Sequence, residues 1–158
     1  MELKINFLRD QFISIDVRSR TLIERIPEEH LYSRPRELPN SLMMFSCGEY
    51  ILRSAAVVEQ VFGGLTTKLW DDPFEWTLPE KLFSKDLVLE YLADVKSTTD
   101  HGFKFLNSDA DLDMQLPAPK TLRPIFEILV EAIAKAEHFQ GRAFALFRFL
   151  SDEKLPDR

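Results

Sequence analysis

Apolar residues recur every third or fourth position along four long stretches of this chain, and that period commits most of it to amphipathic helix. Leu8, Phe12, Ile15, Ser19, Leu22 and Ile26 mark the first stretch, over about residues 4–26, and Pro27 closes it by pushing Ile26 out of the helical region. Residues 27–45 hold Pro27, Pro35 and Pro39 and read as an irregular connection. Ser46 with Glu49 has the spacing of a capping box, and Ile51, Ala55, Val58 and Phe62 give the buried row of the helix it opens. Gly63 and Gly64 are expected to stop that helix. A long link over 65–83 carries Trp70, Phe74 and Trp76, whose rings are costly to leave in water, so it is expected to pack over the helices.

Ser84 is the expected cap of a third helix, on which Leu87, Tyr91, Val95, Thr98, Gly102 and Phe105 run to about residue 107. Residues 108–120, with Pro117 and Pro119, read as loop. Thr121, with Pro124 in the first turn, is expected to open a fourth helix reaching about residue 150. That helix is apolar on more than one side, from Phe126 through Ile133, Ala136, Phe139 and Phe147, which suits a central position. No stretch shows sustained alternation between hairpin turns. The chain therefore reads as a single all-α domain over residues 1–158, a four-helix bundle. A second helix of about 17 residues is about 26 Å long. The link can cross that distance, so helices two and three can run parallel, with one long crossover between them.

Charge narrows the partners. Lys and Arg number 20 against 26 Asp and Glu, a net charge of −6, and no basic run is present, so neither nucleic acid nor an anionic membrane is an expected partner. The opening segment has no basic region followed by an apolar run, and nothing approaches a membrane span, so a cytoplasmic location is expected. One Cys excludes an internal disulfide framework.

Three short motifs resemble a known family. Ile26, Pro27, Glu28, Glu29, His30 and Leu31, followed by Arg34 and Pro35, resemble the connection after the first helix of the DinB/YfiT-like family. Those proteins are damage-inducible and thiol-transferase-related four-helix bundles. Ser46, Cys47, Gly48, Glu49, Tyr50, Ile51, Leu52 and Arg53 resemble its second-helix opening, where Ser-x-Gly-Glu-x-Leu-x-His is usual. His138, Phe139, Gln140, Gly141 and Arg142 resemble its fourth-helix stretch. The resemblance covers nearly the whole chain in helix order and implies a bundle with a long crossover. Many members bind a divalent metal through three His, one on helix two and two spaced by four on helix four. Matched residue by residue, Arg53, Lys135 and Phe139 stand at those places here. Arg offers donors only, Lys is a cation at neutral pH, and Phe has no lone pair. Sliding helix four by one residue brings His138 to a ligand place but leaves Ala134 and Arg53 at the others. The resemblance thus implies the fold, while these residues argue against the metal, and no metal or other cofactor is expected.

Other chemistry is sparse. His101 and His138, taken as lying on antiparallel neighbouring helices, are offset by about 15 Å along the bundle and cannot share a ligand. Asp109, Asp111 and Asp113 have the spacing of a calcium loop, but Met114 and Lys120 occupy its required Gly and Glu places. Cys47, at the start of helix two, is either a buried inert thiol or one activated by the helix dipole. Arg53 and Lys135 have acids four residues before them, Glu49 and Glu131, and Glu59 lies further along helix two. Either these acids pair with the two cations, or Arg53 and Lys135 face one space and hold a small anion or carboxylate under the aromatic link. The pocket candidates are therefore Arg53, Lys135, Phe139, His138, Glu49, Glu131, Trp70 and Trp76. The leading expectation is a binding or interaction protein with a small anionic ligand and a homodimeric assembly. A metal-independent thiol-transferase-like or isomerase-like enzyme and a structural homodimer subunit stand beside it.

Overall fold

Each periodic stretch forms a helix, and local caps set where α2 and α3 begin. A computed structural model describes residues 2–34 and 45–155, so Pro35 and Pro39 lie outside the described residues. The helices are α1 (Leu3–Arg25), α2 (Cys47–Thr67), α3 (Lys85–Phe103) and α4 (Ile125–Leu150). At α2 the Ser46 hydroxyl accepts from the Glu49 amide (3.2 Å) and the Glu49 carboxylate accepts from the Ser46 amide (2.8 Å). At α3 the Ser84 hydroxyl accepts from the Leu87 amide. The first turn of α1 is capped from a distance: Asp109 accepts from the amides of Lys4 and Ile5, both at 3.0 Å.

The chain is an all-α four-helix bundle in which α2 and α3 run parallel. Cys47 and Ser54 of α2 bond to Ala143 and Ala136 of α4, so those two helices are antiparallel. Phe62 meets Phe103 while Glu59 meets Tyr91, which sets α3 alongside α2 in the same direction. Phe12 meets Phe103 and Lys85 reaches the Glu24 carbonyl, so α1 opposes α3. The order is up, down, down, up, with the link 68–84 as crossover. Pairs α1/α2 and α3/α4 lie across the diagonals. His101 and His138 are therefore on diagonal helices, not on neighbours.

The core is continuous, with Leu22, Ile23, Ile51, Phe62, Leu129 and Phe147 fully buried. Phe12, Phe62 and Phe103 form an aromatic triangle with centroids 5.0–5.9 Å apart. Gly102 makes room for it, since a Cβ there would collide with the Phe62 ring.

Three boundaries depart from the sequence expectation. Gly63 and Gly64 do not end α2, which continues to Thr67 and closes at Lys68 in the left-handed conformation (φ 62°). Gly64 serves packing instead: a Cβ there would come within 2.5 Å of the Trp70 ring. Helix α3 stops at Phe103, and the Asp111 carboxylate then draws in the amides of Asn107 and Ser108 to begin a 3-10 turn over Asp109–Asp113. Thr121 does not cap α4. Residues 115–117 and 122–124 form a small antiparallel hairpin, β1 and β2, with Leu116 opposite Arg123. Pro124 is the N-cap, and the Ile125 amide bonds to the Met114 carbonyl. Among the described residues no helix is long and apolar enough to cross a membrane.

Candidate functional site

Two recesses flank α2: one lies between α2, the segment before it and the crossover link, and the other between α2, α4, Trp70 of the link and the hairpin. The first, about 220 Å³, is lined by Arg34, Glu49, Arg53, Phe45, Phe74 and Glu80, with Leu52, Leu78 and Pro79 as apolar floor and wall. The second, about 130 Å³, is lined by Val57, Gln60, Trp70, Arg123, Glu131 and Lys135. Arg53 and Lys135 thus face different recesses, against the alternative in which they share one space.

In the first recess Arg53 projects half-buried from α2 over two aromatic rings. Its guanidinium carbon lies 5.2 Å from the Phe45 centroid and 4.5 Å from that of Phe74. Phe74 is held in place by a short 3-10 turn: the Asp72 carboxylate accepts from the Phe74 amide, and the Thr77 hydroxyl donates to the Pro73 carbonyl. Glu49 does not pair with Arg53. Its carboxylate receives Arg34 on both oxygens (3.2 and 2.7 Å) as well as the amide and hydroxyl of Ser46. Burial alone would raise the Glu49 carboxyl, but the Arg34 and Ser46 hydrogen bonds outweigh it and hold the group below the usual range. Glu59 is also committed, accepting from the Tyr91 hydroxyl at 2.6 Å and from the Trp76 ring nitrogen at 3.4 Å. Among the described residues Arg53 therefore has ring faces around it but no hydrogen bond and no ion pair.

The second recess is electrostatically closed. Glu131 bridges Lys135 (2.6 Å) and Arg123, which also reaches Glu127 at 3.1 Å. Lys135 and Arg123 together hold the Glu131 carboxyl below its ordinary range. The pairing of Glu131 with Lys135 follows their helical spacing; Arg123 came from the hairpin, which no alternation in the sequence announced. Trp70 forms the roof: its ring nitrogen donates to the Pro117 carbonyl (2.8 Å), and Gln60 donates to its own carbonyl (3.1 Å).

The remaining candidates line neither recess. Phe139 packs half-buried against the core, with exposed His138 edge-on to it at 5.7 Å. Trp76 clamps the link to Glu59. Cys47 is fully buried, its thiol directed at the Ala143 carbonyl, and burial pushes it up to about 12. It has neither the exposure nor the thiolate character of a nucleophile. Among the described residues no group of three His, Cys, Asp or Glu side chains could hold a metal ion. No family model, no curated protein and no solved structure matches this chain.

Sequence spacing missed Arg34 as the partner of Glu49 and Phe45 as a ring over Arg53, whereas Phe74 belongs to the aromatic link expected above Arg53. The only available signal was composition: an Arg on the recess-facing side of α2 and aromatic residues in the segments before and after that helix.

Proposed function

We propose that this protein binds a small molecule bearing an oxyanion, with Arg53 as its anchor. The observation that carries this reading is a guanidinium lying over the Phe45 and Phe74 rings whose donors meet no described residue, set at a recess of about 220 Å³. A cation–π contact uses no N–H hydrogen bond, so a guanidinium held over rings keeps donors for a carboxylate or phosphate, which it can take through two hydrogen bonds. A half-buried charge without hydrogen bonds is costly unless something completes it. Binding is favoured over catalysis because the described lining residues offer no activated nucleophile: Glu49 is tied to Arg34, and the Thr77 hydroxyl to Pro73. The reading suits a DinB/YfiT-like bundle that carries Arg53 where the resemblance puts a metal-binding His.

The test is thermal unfolding with small carboxylates and with inorganic phosphate. A ligand at ten times its Kd adds about 1.4 kcal/mol, which raises Tm by about 3–5 °C in a domain of this size. The rise should appear with at least one oxyanion and vanish in Arg53→Gln. Equal responses in the wild type and the variant, or none in either, would overturn it.

A further inference from the structure

The charge arrangement of the Arg53 recess specifies more than an oxyanion. Among the described residues two cations and two anions line it, Arg34 and Arg53 against Glu49 and Glu80. Arg34 and Glu49 neutralise each other through two hydrogen bonds. Arg53 and Glu80 line the same recess with no ion pair between them. Glu80 is exposed at the rim, on the segment that follows the turn carrying Phe74. A simple anion bound to Arg53 would meet the carboxylate of Glu80, and a multiply charged phosphate would meet it more strongly. A ligand with a positive group beside its carboxylate satisfies both of these charges at once and leaves the described lining neutral.

Size and surface complete the description. The recess lies below the roughly 300–1,000 Å³ of clefts that hold drug-sized ligands, which leaves out nucleotides and lipid chains. The rest of its described lining is apolar, Phe45, Leu52, Phe74, Leu78 and Pro79, apart from Thr77, whose hydroxyl is spent on the Pro73 carbonyl. Resting on the oxyanion reading above, we infer that the ligand is a zwitterion of amino-acid size with an apolar body, its carboxylate on Arg53 and its ammonium facing Glu80. The body lies along Leu52 and Leu78 under the Phe74 ring.

Calorimetric titration of the full chain with alanine, valine, leucine, methionine and phenylalanine tests this, each beside its deaminated acid and its decarboxylated amine. For leucine these are 4-methylpentanoate and 3-methylbutylamine. The expected result is at least one amino acid binding tenfold or more tightly than its acid, with no binding of the amine. Glu80→Gln should bring that amino acid and its acid to similar affinities, weakening the amino acid and strengthening the acid by relief of repulsion, and Arg53→Gln should remove both. Glu80 is exposed, so its variant is expected to fold, and its thermal transition checks that. Acids binding as tightly as the amino acids would overturn the zwitterion and leave the oxyanion reading standing. Silence from acids and amino acids alike would overturn both, and amine binding that survives Arg53→Gln would overturn the inference.

Discussion

Gly63 and Gly64 stand side by side in α2 and answer to different neighbours. A Cβ on Gly63 would meet only the Leu69 carbonyl, at 3.6 Å, an ordinary contact. Gly63→Ala therefore gains helix propensity without a clash and should stabilise the fold by up to about 1 kcal/mol. The same substitution at Gly64 places a methyl within 2.5 Å of the Trp70 ring, which is anchored at both its ring nitrogen and its carbonyl. Overpacking costs about 1–3 kcal/mol and outweighs the propensity gain. Gly64→Ala should lower Tm and shift tryptophan emission to the red; two variants with equal Tm would contradict the assignment. Glu49 makes a second residue-scale prediction. Its carboxyl is held below the usual range in the folded state, so its contribution is full above the pKa of an unfolded glutamate and is lost as pH falls through the lowered value. The stability difference between the wild type and Glu49→Gln should be largest at neutral pH and shrink below about pH 4.5. A difference that stays constant down to about pH 2.5 would remove Glu49 from that role.

At the scale of elements, α1 and α4 are registered by a buried polar cluster. Gln140 is fully buried and donates to the Ile15 carbonyl and to the Ser19 hydroxyl, both at 2.8 Å, while its oxygen accepts from Arg18 at 2.8 Å. Arg18 also reaches Ser14 and Glu137. Gln140→Leu leaves a buried guanidinium nitrogen without its acceptor and should cost about 1–3 kcal/mol. Replacing Arg18 by Leu as well removes both partners, so the double variant should be more stable than the sum of the single losses, as denaturant unfolding would show. Strict additivity would mean that the cluster is not coupled. This pairing illustrates what could be read from the sequence and what could not. The helices themselves were legible because burial along Leu8, Phe12, Ile15, Ser19 and Leu22 repeats every three or four residues. Helix ends were legible only where the deciding residues are local, as at Ser46 and Ser84. Where a distant group decides, the sequence is silent. Trp70 explains the glycine at 64, a hairpin three residues to a strand displaces the start of α4, and Asp109 caps a helix more than a hundred positions away.

The whole molecule depends on the link between α2 and α3. The candidate site was legible in part for the same reason: periodicity put Glu131 beside Lys135, but only the path of the link and the hairpin decides which recess each cation faces. Parallel α2 and α3 require the chain to return along the full length of α2, whose 21 residues span about 31 Å. The link of about 17 residues reaches about 57 Å when extended, enough to cross while also forming the turn that carries Phe74 and Trp76. Removing about eight residues leaves a reach of about 30 Å, with no slack for a route over the recesses. Shortening by that amount should therefore abolish cooperative unfolding of this topology, although the individual helices keep their propensity. Replacing the same eight residues by a Gly/Ser segment of equal length keeps the crossing possible and removes only the clamps. That variant should retain a cooperative, lowered thermal transition by circular dichroism while losing any ligand response that depends on Phe74. If the shortened chain unfolds as cooperatively as the equal-length one, the parallel arrangement does not depend on link length.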